Sequence, residues 1–504
     1  MKIKILTPLF FMMCFAASAQ TLPPFIKDSL DNYVNRALKQ WQIPGVAVGI
    51  VKDGKAVLLK GYGVREVGKP EKVDANTLFM IGSNTKAFTA TALAVLEAEK
   101  KLSLNDPVQK WLPDFQLYDP WVARNAIIID LLCHRLGFET FQGDFMFFDS
   151  DLTRQEMMTR FAKLKPMYGF RTRWGYTNAA FMVAGEIIPK AAGKSWSDYM
   201  TQNIFQPLGM NSTTALSLTN QPNKAAAHTT LGGPLRKIEY GRLDALSPAG
   251  SIASSLNDMS RWVMMLLDTG KLDGKTVLPK SAILATRVPR SIQGNGRHLY
   301  AKKHFSLYGL GWELYDYEGR EVVAHTGGVN GFVTAVTLIP EERLGILVFT
   351  NTDSNGFYEA LRNEIQDAFL GMPYRNYDGK YFSWINGNAE REKEWIKSLR
   401  DSIAMKPKPD LPLKAFAGTY NHELYGNMTM TLEGDKLVAR FEHHKGRYAN
   451  VEPLGKNRFL ATFNEAIYGT KVWPFKIENG TVRSVTVTVA DFVEFTSYEF
   501  VKVK

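Results

Sequence analysis

Apolar side chains at Phe25, Ile26, Leu30, Tyr33, Val34, Ala37, Leu38 and Trp41 recur every three or four positions, the spacing of one helix face. The pattern predicts an amphipathic helix over 26–41 that ends before Pro44. The period then changes. Residues 46–51 form a continuous apolar run, Asp53-Gly54 is a tight-turn pair, and 55–62 reads as the returning strand. Ala/Leu-rich helical patterning follows over 91–102, with further helices over 174–188 and 259–267. Residues 322–324 and 333–338 read as strands around a glycine-rich turn, 344–350 as another strand, and 358–370 as a helix. Strands at both ends with helices between predict an α+β fold. Its antiparallel sheet is closed by the two chain ends, flanked by helices, and interrupted by an all-helical insert.

The pattern changes again after Pro373. Residues 388–405 are strongly charged and helical, and Lys406-Pro407-Lys408-Pro409-Asp410-Leu411-Pro412 is a stiff linker. Beyond it, 428–432 and 436–441 flank the hairpin signal Glu433-Gly434-Asp435. Residues 482–489 alternate Val with Thr or Ser, and Phe492, Phe495, Tyr498 and Phe500 read as completing an apolar face. Some ~90 residues of short strands predict a small all-β barrel. The chain thus divides into a leader over 1–19, a main domain over 20–375, a charged helix and linker over 376–412, and a barrel over 413–504.

Length and composition agree with several packed domains: 504 residues, 45% hydrophobic and 22% charged, enough for a sizeable core. The first residues have the form of a secretory signal. Lys2 and Lys4 precede an apolar stretch over 5–15, and Ala17-Ser18-Ala19 offers a small-residue cleavage site before Gln20. That stretch is too short to span a bilayer, and Met13 before Cys14 is not the small residue expected ahead of a lipid-modified cysteine. The expectation is an exported protein, periplasmic or secreted, with no stable membrane insertion. Cys133 is then the sole remaining cysteine, and after Leu131-Leu132 it reads as a buried structural thiol. The net charge of +11 comes from scattered basic residues with no run of five. It is a general surface property and does not indicate a nucleic-acid partner.

Candidate chemistry centres on 79–90. Ser83 and Lys86 stand three apart, which on a helix puts both side chains on one face. A serine hydroxyl becomes a useful nucleophile when a base takes its proton. A lysine serves as that base only when burial or nearby positive charge lowers its pKa. A capping Ser beside a solvated Lys is the plainer alternative, since a bare S-x-x-K arises by chance about once or twice in a chain of this length. Tyr176-Thr177-Asn178 offers a phenol to shuttle a proton and an amide to bind a carbonyl. The same spacing also occurs at Tyr33, Tyr374 and Tyr448. His325-Thr326-Gly327-Gly328 reads as ending a strand and entering a glycine turn, either an ordinary β-turn or a place where backbone N–H groups hold an oxyanion. No G-x-S-x-G elbow, H-E-x-x-H, C-x-x-C, P-loop or dinucleotide fingerprint occurs. No metal and no cofactor is expected, and His443-His444 reads as a solvated strand edge.

Taken in order, these three elements resemble the serine β-lactamase and penicillin-binding-protein superfamily. Ser83-x-x-Lys86 is similar to its nucleophile motif, Tyr176-x-Asn178 to its second, and His325-Thr326-Gly327 to its third, usually Lys-Thr-Gly. Supporting segments resemble the class C-like branch: Leu131-Leu132-Cys133-His134, Phe205-x-Pro207-Leu208-Gly209-Met210, Pro248-Ala249-Gly250 and Tyr308-Gly309-x-Gly311-Trp312. The resemblance covers residues 26–371, and 413–504 resemble the lipocalin-like barrel appended to some peptidases and esterases of that branch. It implies acyl transfer. Ser83 attacks, Lys86 and Tyr176 handle the proton, and the N–H groups of Ser83 and Gly328 hold the oxyanion. Asn178, Thr326 and Gly327 position substrate, and His325 belongs to the catalytic set.

His325 is the departure. A Lys there is a permanent cation for a substrate carboxylate, whereas a His is mostly neutral at pH 7 and is expected to charge as the pH falls toward 5.5. That disfavours efficient β-lactam hydrolysis and favours a peptidase or esterase acting on small peptides, amides or esters, D-amino-acid peptides among them. The alternatives are a weak β-lactamase or penicillin-binding protein and, in a different class, an inert hydrolase domain carrying a ligand-binding barrel. Oligomerisation is left open.

Overall fold

A computed structural model describes residues 22–216, 218, 220–294, 300 and 303–503; the expected leader, Cys14 included, lies outside them. The first amphipathic pattern forms helix Leu30–Gln40, led by a π-helical turn over Phe25–Ser29. The run after it is strand Gly45–Lys52, which returns through Asp53-Gly54 as Lys55–Gly63. Both turn residues have positive φ, 51° and 76°, as a two-residue hairpin of this hand requires.

This hairpin begins an eight-stranded antiparallel sheet. The spatial order is Lys55–Gly63, Gly45–Lys52, Leu344–Thr350, Phe332–Ile339, Arg320–Val329, Glu313–Tyr317, Ser306–Tyr308 and Ser291–Gly294. Val46 pairs with Thr350, so the two ends of the domain meet in the sheet, one strand in from its edge. Strand Gly45–Lys52 is apolar throughout because both its faces are covered. Val46, Val48 and Ile50 pack under helices Leu30–Gln40 and Phe357–Phe369, while Ala47 and Val51 join the core on the other side. That second core holds helices Thr85–Ala98, Asn178–Ala192 and Leu256–Leu267, where Phe88 stacks on Trp262 with ring centroids 4.0 Å apart. Cys133 is fully buried there, and burial pushes its thiol up to about 11.

Two boundaries differ from the sequence reading in ways that matter for the site. The helix expected over 174–188 begins only at Asn178, so Tyr176 and Thr177 stay on an extended segment. The expected glycine turn at His325–Gly328 is instead continuous strand through Val329, and the chain turns at Asn330-Gly331. Gly327 serves close packing: a Cβ there would lie 1.9 Å from the carbonyl oxygen of Ile81.

Helix Tyr377–Ala404 carries the chain from the sheet to a closed barrel of eight strands, Gly418–His422 through Tyr498–Lys502, with Tyr420 paired to Lys502 at the seam. Its interior is filled by Tyr420, Met428, Leu437, Trp473, Phe475 and Phe500. Phe492 and Phe495 do not join that face as the alternation suggested. They precede the last strand on a loop turned toward the first domain, 42% and 54% exposed. The expectation for His443-His444 also fails: His444 is 3% exposed, stacks on Phe145 at 4.6 Å and bonds its carbonyl at 2.7 Å. The covering side chain comes from the other domain, 299 residues away. Phe145 itself is ringed by Tyr425, Phe441, Phe463 and Tyr468 of the barrel. Among the described residues no helix is long and apolar enough to cross a membrane.

Candidate active site

Ser83 sits in a 3-10 turn, Gly82–Asn84, that feeds helix Thr85–Ala98. Gly82 has φ of 54°, and a Cβ on it would approach the Gly328 nitrogen to 2.9 Å. The turn is therefore pressed against strand Arg320–Val329 at a distance only glycine permits. Asn84 pins it from behind, donating to the Ile81 carbonyl at 3.0 Å and to Thr334 Oγ1 at 2.9 Å. This brings the Gly328 backbone beside the Ser83 turn. Gly328 is exposed to the site, Thr326 half-buried and Gly327 buried.

Lys86 lies one turn in, 0% exposed. Its Nζ is 3.0 Å from Ser83 Oγ, 2.7 Å from Asn178 Oδ1 and 2.9 Å from the Ala249 carbonyl oxygen. Burial lowers its pKa from 10.5 to about 7, with the Asp144 carboxyl pulling the other way. With its pKa near 7 the amine is partly neutral at neutral pH, and these partners suit that form. Two N–H bonds go to the two carbonyl-type oxygens, which only accept, and the remaining lone pair faces the Ser83 hydroxyl.

Tyr176 closes one side. Its ring lies 4.6 Å from Lys86 Nζ and packs on His134 at 4.3 Å. Burial lifts its phenol well above the usual 10, an effect that the nearby Ser83 hydroxyl opposes. The oxygen is buried and no described group meets it in hydrogen-bond geometry. His134 accepts the Thr177 N–H at Nδ1, 3.0 Å, and burial holds it well below 6.5.

Asn178 is occupied at both ends of its amide: Oδ1 by Lys86, and Nδ2 donating to Asp144 Oδ2 at 2.6 Å. Its expected contact with substrate would have to displace one of these. Asp144 escaped notice in the sequence because it carries no motif and lies 34 residues from its partner.

The surroundings of His325 correct the expectation that it charges near pH 5.5. Its Nδ1 is 2.6 Å from the Thr326 carbonyl oxygen, so it carries the proton and donates. Its Nε2 then accepts from the Tyr308 hydroxyl at 2.9 Å. Burial, with Lys86 adding to it, lowers the pKa to about 3. The imidazole is a neutral wall behind Tyr176, ring centroids 6.1 Å apart, with both nitrogens spoken for.

The barrel loop roofs the site. Phe492 stands over Gly328, 3.4 Å from where a Cβ would be. Phe495 stacks on Phe141, whose ring meets Tyr176 edge-on at 5.5 Å. A separate cavity of about 930 Å³ lies between the long helix and the barrel, lined by Trp41, Phe382, Ile385 and Phe463. Volume alone favours that cavity, but none of the groups just described line it, and the chemistry sits at Ser83. No group of His, Cys, Asp and Glu suited to a metal occurs among the described residues.

This fold and site define a serine hydrolase of the β-lactamase and penicillin-binding-protein superfamily. The chain belongs to the Beta-lactamase family, which matches residues 30–370, and a domain of unknown function, DUF3471, matches 404–502. It is similar to the unguisins hydrolase ungD′ of Aspergillus campestris (strain IBT 28561), 29% identical over 80% of this chain and 77% of that one. It is also similar to protein flp of Staphylococcus aureus (strain MW2), 26% identical over 65% of this chain and 64% of that one. In fold it is similar to the octameric penicillin-binding protein homologue from Pyrococcus abyssi. That TM-score is 0.58 at 22% identity, covering 94% of this chain and 99% of that one.

Proposed function

We propose that this protein hydrolyses peptide, amide or ester bonds of small substrates through an acyl-enzyme on Ser83. The carrying observation is the fully buried Lys86, its Nζ 3.0 Å from Ser83 Oγ. In the first half-reaction Lys86 takes the hydroxyl proton as Oγ bonds to the substrate carbonyl carbon. The carbonyl oxygen takes up negative charge beside the N–H groups of Ser83 and Gly328. The tetrahedral intermediate collapses as the leaving group departs with a proton delivered by way of Tyr176. Water then repeats the sequence and frees the acid. Peptides with D-amino acids are included as a substrate class that the superfamily resemblance implies, and the relative ungD′ is itself named a hydrolase, of unguisins. β-Lactams carrying a carboxylate fit less well, because a neutral His325 stands where the superfamily usually has a Lys. We place the protein outside the cytoplasm on the strength of the leader-like first 19 residues. Assembly into an oligomer, as in the octameric structural neighbour, is part of the same proposal.

The test is intact-mass analysis with a fluorophosphonate. One adduct is expected, absent in Ser83→Ala. An adduct retained in that variant places the nucleophile elsewhere, and none in the wild type supports an inert domain with a binding barrel.

A further inference from the structure

Four hydrogen-bonded links connect the barrel to the catalytic lysine. Glu494, on the loop before the last barrel strand, receives the backbone N–H groups on either side of Asp144: Gly143 N at 2.6 Å on Oε1 and Phe145 N at 3.0 Å on Oε2. The same carboxyl accepts from Tyr425 and Tyr498 of the barrel, at 2.8 and 2.5 Å. Asp144 Oδ2 accepts from Asn178 Nδ2, and Asn178 Oδ1 accepts from Lys86. A side-chain amide presents a donor at one end and an acceptor at the other, and only its partners decide which end faces where. Here the acceptor at Asp144 decides. It holds the NH2 end and so turns the carbonyl end toward Lys86.

We propose that Asp144, held in place by Glu494 of the barrel, is the positioning residue that orients Asn178 toward the base and so couples the barrel to the catalytic site. The inference rests on the reading of Lys86 as the base for Ser83. Its logic is donor arithmetic. With the Asn178 carbonyl facing it, the neutral lysine spends both N–H bonds on oxygens and leaves its lone pair for Ser83. With the amide reversed, two donors face each other and the lone pair is drawn away from the hydroxyl. Asp144 Oδ1 is buried and meets no hydrogen-bond partner among the described residues, so the carboxyl holds Asn178 through one oxygen. Burial raises its pKa well above the usual carboxylate range, while Lys86 favours its ionised form, in which it faces Lys86 as a charge.

The charges around the pair are few. Lys86 is faced by Asp144 from one side and by Tyr176, His134 and His325 from others, and burial keeps those three neutral. Asp144 is faced by Lys86 and Glu494. A negative charge beside an ammonium raises its pKa. Removing the Asp144 charge while keeping an acceptor therefore lets Lys86 deprotonate at lower pH. Removing the acceptor releases Asn178.

The test uses the full chain and the rate of fluorophosphonate labelling at Ser83 between pH 5.5 and 9, with thermal melts to confirm folding. Asp144→Asn is expected to move the acid limb of the rate profile down by about half a unit or more while keeping most of the plateau. Asp144→Ala is expected to lower the plateau about ten-fold or more, the scale for a displaced proton-transfer group. Glu494→Gln, which leaves one of the two backbone N–H groups without an acceptor, is expected to lower it likewise. Glu499→Gln, elsewhere on the barrel, should change neither. Folded variants that label at the wild-type rate with an unmoved limb overturn the inference. A wild type that does not label overturns the underlying reading instead. Even then, NMR titration of ¹³C-labelled lysine, with Lys86 assigned through Lys86→Arg, decides the inference: equal Lys86 pKa values in wild type and Asp144→Asn reject it.

Discussion

Lys86 holds its Nζ 3.0 Å from Ser83 Oγ with none of its residue surface exposed. A charged ammonium there has no lone pair to accept the serine proton, so only the neutral amine activates the nucleophile. With the pKa lowered to about 7 by burial, that form is scarce below pH 7 and dominant above it. The kcat/KM for acylation is therefore expected to rise through about pH 7 and then level off. A limb centred two units higher, in the ordinary lysine range, refutes Lys86 as a base tuned by burial.

Removing the groups themselves gives a second expectation. Lys86→Ala takes away the proton acceptor, and Tyr176→Phe takes away the phenol beside Ser83. Each is expected to lower kcat by about two to four orders of magnitude, the range for a proton-transfer group or one that acts with it. Single-turnover rates measure both. If Tyr176→Phe turns over like the wild type, proton delivery to the leaving group runs through Lys86 alone.

The Ser83–Lys86 pair is legible in the sequence because it is local. A spacing of three across the 3-10 turn and the start of the helix it feeds fixes the geometry whatever the rest of the fold does. The same holds for the Gly45–Lys52 and Lys55–Gly63 hairpin, whose apolar run and Asp-Gly turn state the topology directly. What the sequence hides is long-range. Asp144 meets Asn178 only because Glu494 shapes the turn around it. His444 is buried only because Phe145 comes to cover it. The strand through Gly328 reads as a turn because a glycine needed for close approach and a glycine needed for turning look alike in one dimension. His325 is the sharpest case: its residue type announces titration near neutrality, and its burial beside Lys86 removes it, even against the Thr326 carbonyl that favours the charged ring.

That correction changes what His325 does to substrate preference. A neutral ring with both nitrogens engaged offers no charge to a carboxylate. With a pKa of about 3 it stays neutral at pH 5.5 as well. For a matched free acid and methyl ester, the wild-type kcat/KM ratio is expected to stay constant between pH 7.5 and 5.5, even while both values fall as Lys86 becomes protonated. His325→Lys is expected to raise the acid-to-ester ratio, since a charge-assisted bond is about twice as strong as a neutral one. A wild-type ratio that climbs on acidification shows that His325 titrates and reads charge.

The barrel loop is expected to limit what enters. Phe492 over Gly328 fills space above the oxyanion position, and Phe495 extends an aromatic wall through Phe141 to Tyr176. Phe492→Ala leaves every hydrogen bond around Ser83 in place. It should keep fluorophosphonate labelling while raising the kcat/KM of bulky over small acyl esters about ten-fold or more, the scale of a single methylene in a pocket. Cutting the chain after Met405 is a poorer probe than the linker suggests, because it strips Phe145 of the five barrel rings around it. An unchanged size preference in Phe492→Ala places the substrate elsewhere.

His444 makes the joint between the domains sensitive to acid. Its Nε2–H donates to the Phe145 carbonyl, and burial lowers its pKa from 6.5 to about 4. The sign follows from proton counting. Between pH 6.5 and 4 the unfolded chain takes up a proton that the folded one refuses, so the stabilisation present above 6.5 is lost as the pH falls toward 4. Each pH unit in that window costs about 1.4 kcal/mol from this group. Glu494 runs the other way. Burial raises its pKa from 4.5 to about 7, so the fold gains relative stability as the pH falls from 7 to 4.5. The wild-type curve therefore mixes both, and only a difference isolates His444. Gln in its place keeps an N–H for the Phe145 carbonyl and has nothing to protonate. Urea unfolding followed by tryptophan fluorescence at pH 7 and pH 5 should show the two proteins diverging. The loss on acidification is expected to be smaller in His444→Gln by about 2 kcal/mol. Equal losses in both would mean that His444 takes up its proton in the folded state, with the joint already open at pH 5.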